Sequence, residues 1–492
     1  MKLTRDLPEN HGLSTKRLLA FFAKMEQLQL NVDTLMLLQN GQVTAEFCRV
    51  PYRLDSPRLL FSLSKSFTSI AVGIAWDSGL LGLHDPVVSF FPDKLSDLPL
   101  SSNLAKMTIH HLLSMNAGHQ DNIYGPVIGS GEQDWVKAFL RQPVEHEPGH
   151  CYRYSTPATY MLSAILEQVT GQTLVDFLMP RLFEPLGICR PSWETCPGGV
   201  SAGGMGLSLS TEDVAKFGVM LQNKGKFDGK RIVSEAYLEL ATAEQSDNRA
   251  GATRIDDAQG YGYQLFLGRQ GCYRGVGGFG QLCLVAPELG VVVVATSSFS
   301  SMAPLQTVLD LLYEHILGPL ALGCVGLETV NGLDRLALQR QLSEWASSSV
   351  PVSKPVPVGS PDYDGGSGRY RFSEGNPLGL RMITFDRMTV EFVYEDAGRD
   401  CKISFDFTQP VHSQGVFVKD LLLHLQEVVC YAAWQDSSCL ELTLYYIETP
   451  YVVTYTFGFV EEALDVGVRQ NVSLNGGGVR DIQMRGLLRQ VD

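Results

Sequence analysis

The sequence predicts a chain of two domains: an α/β domain of the α+β type, followed by an all-β domain. Its 492 residues exceed what one hydrophobic core usually holds. Two predicted β-hairpins enclose a stretch with helical patterns, which indicates one mixed antiparallel sheet covered by helices. After a segment rich in Ser, Pro and Gly, apolar residues recur at every second position, which is typical of strands.

The two hairpins define the sheet of the first domain. Residues 35–38 and 43–47 are separated by a turn that contains Asn40 and Gly41, a favoured pair in tight hairpins. Residues 282–285 and 291–295 repeat this arrangement around a Pro-Glu-Leu-Gly turn, and a helical pattern follows over residues 305–317. One sheet is therefore expected to join distant parts of the chain.

A change in composition places the domain boundary. We predict a first domain at residues 1–345, a linker at 346–368 and a second domain at 369–492. In the second domain Cys401, Ile403 and Phe405 alternate with polar residues, and residues 464–468 do the same. Helical patterns are nearly absent there, apart from a short one near Leu421. This part of the chain is expected to be a barrel or sandwich of antiparallel strands.

The overall composition excludes several function classes. A net charge of -14 argues against sequence-independent nucleic-acid binding, which needs basic patches. The sequence shows neither a signal peptide nor a stretch long enough to span a bilayer, so a cytoplasmic protein without membrane contact is expected. Its ten cysteines form no CxxC pairs, so free thiols are expected rather than disulfides or a zinc site.

A candidate nucleophile lies in the run Ser62-Leu63-Ser64-Lys65, at the predicted start of an amphipathic helix. Residues three apart project from the same side of a helical turn, so Ser62 and Lys65 are expected to lie together. Serine needs a base within hydrogen-bond reach, and a lysine whose pKa is lowered by burial can be that base. The alternative is a polar helix start followed by a chance lysine.

Two further segments carry candidate site residues. Tyr154 follows a Pro-Gly turn and precedes a helix; a phenol beside a lysine can act as acid or base, although an ordinary loop tyrosine would fit the same pattern. The run Tyr273-Arg274-Gly275-Val276-Gly277-Gly278 is a strand with little side-chain bulk. Such a strand lets a ligand approach the backbone, whose N–H groups can form an oxyanion hole; the alternative is a bulged strand.

Two segments match the letters of known motifs, one for zinc and one for a dinucleotide, but lack the secondary structure that these motifs require. His146-Glu147-Pro148-Gly149-His150 has the spacing of a zinc motif, but Pro148 and Gly149 would break the helix that this motif requires. The glycines from Gly275 to Gly280 match a dinucleotide fingerprint, but a second strand is predicted after them where that motif needs a helix. No metal or cofactor is therefore expected.

In order and spacing, these elements resemble the serine β-lactamase and penicillin-binding-protein superfamily, in its class C-like esterase and D-aminopeptidase branch. Ser62-Leu63-Ser64-Lys65 resembles the nucleophile motif, Tyr154-Ser155-Thr156 the Y-x-N motif, and Gly275-Val276-Gly277 the K-T-G or H-x-G strand. Stretches around residues 79–87, 108–115, 181–188 and 203–211 are also similar. The resemblance covers residues 12–300 and implies a helical subdomain over the site. The β-rich tail resembles lipocalin-like extensions more weakly.

The sequence departs from the family pattern at two positions. Thr156 stands where the family has an asparagine that helps hold the substrate and the lysine. Gly275 stands where the strand motif has Lys or His, the cation that binds a substrate carboxylate in β-lactamases. Arg274 is one residue away, although neighbours on a strand point to opposite sides. These departures leave open whether β-lactams or D-Ala-D-Ala peptides are substrates.

The resemblance implies a serine hydrolase that acts through an acyl-enzyme on a small ester or amide. Ser62 would attack while Lys65 and Tyr154 share the proton transfers. The backbone N–H groups of Ser62 and Gly278 would hold the oxyanion. The candidate pocket residues are Thr156, Tyr152, Arg274 and Gly277. The alternatives are a non-catalytic binding protein on the same fold and a true β-lactamase or DD-peptidase.

Overall fold

The computed structural model divides the chain into two compact units. The first contains residues 1–48, 54–297 and 302–344, and the second contains residues 49–53, 298–301 and 345–492. The residues described are 2–96, 100–323, 331–354, 368–373, 375–376, 379–385, 389–396, 399–436, 438–460, 463–474 and 480–488. Among them, no helix has both the length and the hydrophobicity that crossing a bilayer requires.

The first unit combines helices with short and long strands. Its helices are α1 (Thr15–Gln27), α2 (Ser64–Asp77), α3 (Ser102–Lys106), α4 (Ile109–Leu113), α5 (Tyr124–Val127), α6 (Trp135–Leu140), α7 (Thr156–Thr170), α8 (Leu174–Leu178), α9 (Thr211–Gln222), α10 (Glu235–Ala241), α11 (Ala303–Leu312) and α12 (Gly318–Ala321), and α13 (Gly332–Ser347) leads into the second unit. Its strands are β1 (Val32–Gln39), β2 (Gln42–Cys48), β3 (Arg58–Leu59), β4 (Ser192–Trp193), β5 (Leu207–Leu209), β6 (Lys226–Phe227), β7 (Lys230–Arg231), β8 (Phe266–Leu267), β9 (Tyr273–Gly277), β10 (Gln281–Ala286) and β11 (Val291–Ser297).

The main sheet of the first unit joins the two predicted hairpins. In the described residues its strand order is β2-β1-β11-β10-β9-β8, and every neighbouring pair is antiparallel. The hairpin β1–β2 turns at Asn40 and Gly41, and β10 pairs with β11. Both predicted hairpins are confirmed. The central pair β1–β11 brings Leu35 opposite Ala295, so the two ends of the unit meet within the sheet.

Helices cover both faces of this sheet, so its central strands are buried throughout. On one face, Thr34 of β1 hydrogen-bonds Thr211 at the start of α9 over 2.7 Å. Leu35 points to the other face because successive side chains alternate along a strand. Its partner Phe47 contacts Phe22 of α1, with ring centroids 6.4 Å apart. The predicted arrangement of a sheet covered by helices is confirmed.

Helix α2 is buried on every side, whereas its pattern predicted an amphipathic helix. All residues from Ser64 to Ala75 are buried, including four with hydroxyl groups. Tertiary hydrogen bonds satisfy these hydroxyls: Ser66 donates to the Gln264 carbonyl over 3.0 Å, and Thr68 to the Gly203 carbonyl over 2.8 Å. Because these partners are distant in sequence, nothing local distinguishes this polar face from a solvated one.

The second unit is an antiparallel β-sheet. Its strands are β12 (Gly368–Arg371), β13 (Leu380–Phe385), β14 (Thr389–Asp396), β15 (Arg399–Asp406), β16 (Val411–Val418), β17 (Leu423–Trp434), β18 (Cys439–Tyr446), β19 (Val452–Val460), β20 (Ala463–Gln470) and β21 (Arg480–Leu488). The strand order is β15-β14-β13-β12-β21-β20-β19-β18-β17-β16. The first and last strands therefore pair in its middle, through Tyr370 and Leu488.

The predicted β-rich second region is confirmed, whereas its closure into a barrel stays a prediction. The outermost strands β15 and β16 lie against each other, but no hydrogen-bonded ladder joins them among the described residues. One face of the sheet carries buried aromatic side chains, among them Phe385, Phe405 and Phe457. The predicted short helix near Leu421 is wrong, because this residue lies in the turn between β16 and β17. Residues 355–367 of the predicted linker lie outside the described residues.

Candidate active site

Ser62 lies in a tight turn directly before α2, not in the first turn of the helix itself. The turn is a 3-10 helix at Phe61–Leu63, and α2 begins at Ser64. Phe61 has a φ of 49°, a left-handed conformation that is rare for a bulky side chain. Such backbone strain occurs preferentially at functional sites. Unlike its buried neighbours, Ser62 is only half-buried and faces a cleft.

Lys65 lies in the first turn of α2 and is 2% exposed. Its Nζ lies 3.1 Å from the Ser62 Oγ and 3.1 Å from the Thr156 Oγ1. It also donates to the Gly204 carbonyl over 2.6 Å. Lys65 is therefore held by groups from three other parts of the chain, with its amine at the Ser62 hydroxyl. The structure brings Ser62, Lys65 and Thr156 together.

Tyr154 completes this cluster from the segment before α7. The backbone N–H of Arg153 donates to the Met115 carbonyl over 2.8 Å, and Ser155 caps α7 by accepting from the Ala158 N–H. These bonds fix the tyrosine between them, and its ring centroid lies 4.9 Å from the Lys65 Nζ. Burial raises the pKa of Tyr154 to about 12, although a hydrogen bond with Ser62 opposes this shift. At neutral pH the side chain is a phenol.

The glycine-rich strand β9 passes close to the Ser62 turn. A Cβ at Gly277 would overlap the Leu60 carbonyl, so only glycine permits this approach of the two backbones. Gly277 and Gly278 line the same cleft as Ser62. The residues beside the two predicted oxyanion donors also meet: the rings of Phe61 and Phe279 pack edge to face at 5.0 Å. Strand β9 thus brings Gly278 next to the turn of Ser62.

Gly275 has no room for the family's cation. A Cβ at this position would overlap the Leu63 side chain and lie 2.6 Å from the Ser66 Oγ. Packing against the start of α2 fills the volume that a lysine or histidine side chain would need. The missing cation is therefore part of how β9 packs against α2.

The structure places Arg274 behind the wall of the cleft and not among its lining residues. The guanidinium is 1% exposed and donates to the Asp257 Oδ1 over 2.9 Å and to the Asp256 carbonyl over 2.8 Å. Its Cζ lies 5.2 Å from the ring centroid of Phe266. As the alternation along β9 requires, this side chain points away from the side of Gly275. Arg274 supports the cleft through Asp257 and Phe266.

The cleft has a volume of about 570 Å³ and lies entirely within the first unit. The predicted residues Ser62, Tyr152, Tyr154 and Gly277 line it, whereas Thr156 contacts Lys65 without lining it. Sequence reasoning missed other lining residues, which are Asn122, Arg153, Asn248, Ala250, Gly251, Ala252, Thr253, Arg254, Asp257, Phe266, Val276 and Met302. Most lie in irregular segments, where no hydrophobic period marks a function.

Tyr152, Tyr154 and Phe266 form an aromatic wall of the cleft, and the buried Tyr261 packs against two of them. Tyr152 packs on Tyr261 with ring centroids 5.3 Å apart, and Tyr261 packs edge to face on Phe266 at 4.9 Å. Phe266 also stacks with Tyr154 at 6.1 Å. Because aromatic rings supply large apolar contact areas, this wall suits an apolar part of a small molecule.

The segment whose letters match a zinc motif does not form the helix that this motif requires. Residues 146–150 form a turn in which Gly149 has a φ of 95°, and His146 and His150 are both exposed. Within the described part of the chain, no cluster of three or more His, Cys, Asp or Glu side chains has a geometry that could hold a metal ion.

The chain's sequence matches the profile of the Beta-lactamase family over residues 20–317, more than half of its length. It is 25% identical over 291 residues to 6-aminohexanoate-dimer hydrolase of Paenarthrobacter ureafaciens, covering 54% of this chain and 72% of the relative. It is 27% identical over 159 residues to lovastatin esterase of Penicillium rubens, covering 28% of this chain and only 40% of that relative.

Two solved structures are similar in fold. EstCE1, described as a hydrolase with promiscuous acyltransferase activity, superimposes with a TM-score of 0.51 at 20% identity, covering 61% of this chain and 98% of its own. An octameric penicillin-binding protein homologue from Pyrococcus abyssi superimposes with a TM-score of 0.50 at 17% identity. That match covers 96% of this chain and 99% of the other.

Proposed function

This chain belongs to the β-lactamase family of serine hydrolases, and we propose that it cleaves a small ester or amide through an acyl-enzyme on Ser62. The contact between the Lys65 Nζ and the Ser62 Oγ carries this proposal, because Ser62 lines a cleft sized for a small molecule. One relative is named an esterase and another a dimer hydrolase. Both names are consistent with acyl transfer.

In the proposed first step, the Ser62 Oγ attacks the carbonyl carbon while its proton moves to Lys65. A neutral Lys65 can donate its two N–H bonds to the Gly204 carbonyl and Thr156, which leaves its lone pair for the Ser62 proton. The backbone N–H groups of Ser62 and Gly278 would donate hydrogen bonds to the carbonyl oxygen as negative charge develops on it. Ser62 and Gly278 both line the cleft, which supports this assignment.

Tyr154 is assigned to the leaving group. A phenol with a pKa of about 12 is protonated at neutral pH, so it can give its proton to the departing alkoxide or amine and recover one from Lys65. Water then attacks the acyl-enzyme, and the same groups move its proton in the reverse direction. Thr156 takes the place of the family's asparagine by accepting a hydrogen bond from Lys65.

A fluorophosphonate probe tests the proposal because it labels a serine only when that serine is an activated nucleophile. The wild-type protein should be labelled at Ser62, and Ser62→Ala should lose both labelling and ester turnover while its circular dichroism spectrum is unchanged. Lys65→Ala should lose nearly as much turnover, because nucleophile and base act as a unit.

The matched control is Ser89→Ala, which removes an exposed serine outside the cleft and should leave labelling intact. If wild-type protein resists the probe although it is folded, the chain is a non-catalytic binding protein. If nitrocefin is turned over faster than every ester tested, the chain is a true β-lactamase.

A further inference from the structure

The charged side chains that line the cleft do not balance. Arg153, Arg254 and Asp257 all contribute to its wall. Asp257 is paired twice, accepting from the Arg254 Nε over 2.7 Å and from Arg274 over 2.9 Å. It is the one carboxylate among the described lining residues, and Arg254 and Arg274 together neutralise its charge. The cleft is therefore locally positive in a chain whose net charge is -14.

Two of the three nearby arginines are committed to the protein. Arg274 is buried behind the wall. Arg254 holds Asp257 and also donates to the Met302 carbonyl over 2.6 Å. The family's position for a cation on β9 is Gly275, where packing leaves no room. None of these positions therefore offers a free charge to a ligand.

Arg153 differs from the other two. It is exposed, it lines the cleft, and among the described residues its guanidinium has neither a hydrogen bond nor an ion pair. Its backbone is anchored to the Met115 carbonyl, and it directly precedes Tyr154. Arg153 therefore contributes a positive charge to the same cleft that Ser62 lines. A guanidinium pairs with a carboxylate through two parallel hydrogen bonds.

We propose that the substrate of this cleft carries a carboxylate, and that Arg153 binds it in place of the cation missing at Gly275. This inference rests on the proposed function, because it concerns the substrate of the same nucleophile. The positive cleft would attract such an anion, whereas the remainder of the negatively charged chain would not. The aromatic wall would contact the apolar part of the same molecule.

Two pairs of matched esters test the proposal, since the carboxylate could lie on either side of the scissile bond. The acyl-side pair is p-nitrophenyl hydrogen glutarate and p-nitrophenyl hexanoate, with spontaneous hydrolysis subtracted. The alcohol-side pair is O-butyryl glycolate and propyl butyrate. In at least one pair, the wild-type protein should prefer the carboxylate by about ten-fold in kcat/KM, the usual scale of one charge-assisted hydrogen bond.

Arg153→Gln should abolish this preference by raising the KM of the carboxylate ester. The kcat/KM of the neutral ester should stay within about two-fold of wild type, as expected for lost binding rather than lost chemistry. Arg153→Lys should restore part of it because the charge remains. The matched control is Arg190→Gln, which removes an exposed arginine outside the cleft and should have no effect.

Three results would overturn the inference: a wild-type preference for the neutral ester in both pairs, a preference that survives Arg153→Gln, or an equal loss in Arg190→Gln. Labelling of Ser62 by the fluorophosphonate separates these failures from failure of the proposed function. A labelled protein without a carboxylate preference contradicts this inference alone, and an unlabelled protein contradicts both.

Discussion

At the scale of single residues, the proposed division of the proton transfers between Tyr154 and Lys65 follows from their different surroundings. Lys65 is enclosed by oxygen acceptors, whereas Tyr154 lies against the rings of the cleft wall and is half-buried. Burial keeps the phenol protonated, as its raised pKa indicates. The same residue therefore affects both the chemistry and the response of the fold to alkali.

We expect Tyr154→Phe to lower kcat by about 10²–10⁴, the usual scale of positioned acid–base catalysis. The raised pKa also contributes stability that is fully present below pH 10 and is lost as the pH rises toward 12, because the unfolded chain releases this proton first. The free energy of unfolding, measured with urea between pH 9 and 12, should fall less steeply with pH for Tyr154→Phe than for wild type. A kcat within a few-fold of wild type would remove Tyr154 from the mechanism.

Burial of His119 is expected to lower the stability of the fold at acid pH, whereas burial of Tyr154 lowers it at alkaline pH. It is 2% exposed, and neither ring nitrogen has a hydrogen-bond partner among the described residues. Burial lowers its pKa to about 4. The unfolded chain binds this proton first, so the stability that His119 contributes is lost as the pH falls from about 6.5 toward 4.

His119→Leu should remove that part of the acid sensitivity while leaving the free energy of unfolding at pH 7 nearly unchanged, because an apolar side chain has no unmet hydrogen bonds. Denaturant titrations at pH 7 and pH 5 give the comparison. Burial also lowers the pKa of His111 to about 4, so His119→Leu should retain part of the acid sensitivity. An identical pH dependence in the two proteins would show that His119 does not carry the effect.

At the scale of elements, the packing of β9 on α2 determines which groups reach the cleft. Gly275 faces the start of α2, and the next residue, Val276, lines the cleft. A side chain at position 275 must displace Leu63 or Ser66, which flank the buried Lys65. This close approach links the glycines of the strand to the position of Ser62.

Gly275→Ala should therefore destabilise the protein by about 1–3 kcal/mol, as overpacking in a core does, and lower esterase activity. Gly278→Ala is the matched control for stability, because its Cβ would lie 3.5 Å from the Phe61 ring, an ordinary contact. Thermal melts of the two variants give the comparison. Equal melting temperatures for Gly275→Ala and wild type would contradict the tight approach of β9 to α2.

Features that depend on residues adjacent in the sequence could be predicted, whereas features that depend on residues far apart in the chain could not. The hairpin at Asn40 and Gly41 was predictable because turn residues and flanking strands adjoin. The buried hydroxyls of α2 were not, because their partners, such as Gln264, lie far along the chain. Ser62 and Lys65 could be paired from helical spacing alone. Arg153 and Asp257 could not be assigned to the cleft, since no periodic pattern marks irregular segments.

At the scale of the whole molecule, the second unit is not one continuous stretch. It includes residues 49–53, where Arg53 binds Glu427 through two hydrogen bonds of 2.8 and 2.7 Å. Tyr52 packs edge to face on Tyr445 at 6.1 Å. The predicted boundary near residue 345 therefore omits a segment that belongs with the β-rich region, and the exact extent of the domains stays a prediction.

A chain truncated after Ser349 should keep fluorophosphonate labelling of Ser62, because every proposed catalytic residue precedes that point. We expect the melting temperature to fall because Tyr52 and Arg53 lose Tyr445 and Glu427. Full-length Tyr52→Ala separates the loss of this contact from the loss of the entire sheet. An insoluble or unlabelled truncated protein would mean that the two units fold only together.

The pairing of β1 with β11 determines when the catalytic unit can fold during translation. Leu35 and Ala295 are partners although just over half of the chain's length separates them. Until β11 has left the ribosome, the finished hairpin β1–β2 exposes one edge of β1. Every residue of this strand is buried in the final fold. Contacts of such long separation form slowly, and nascent chains held in this state are prone to aggregate. This protein should therefore depend on chaperones that bind strand edges, and slower synthesis should lower its soluble yield.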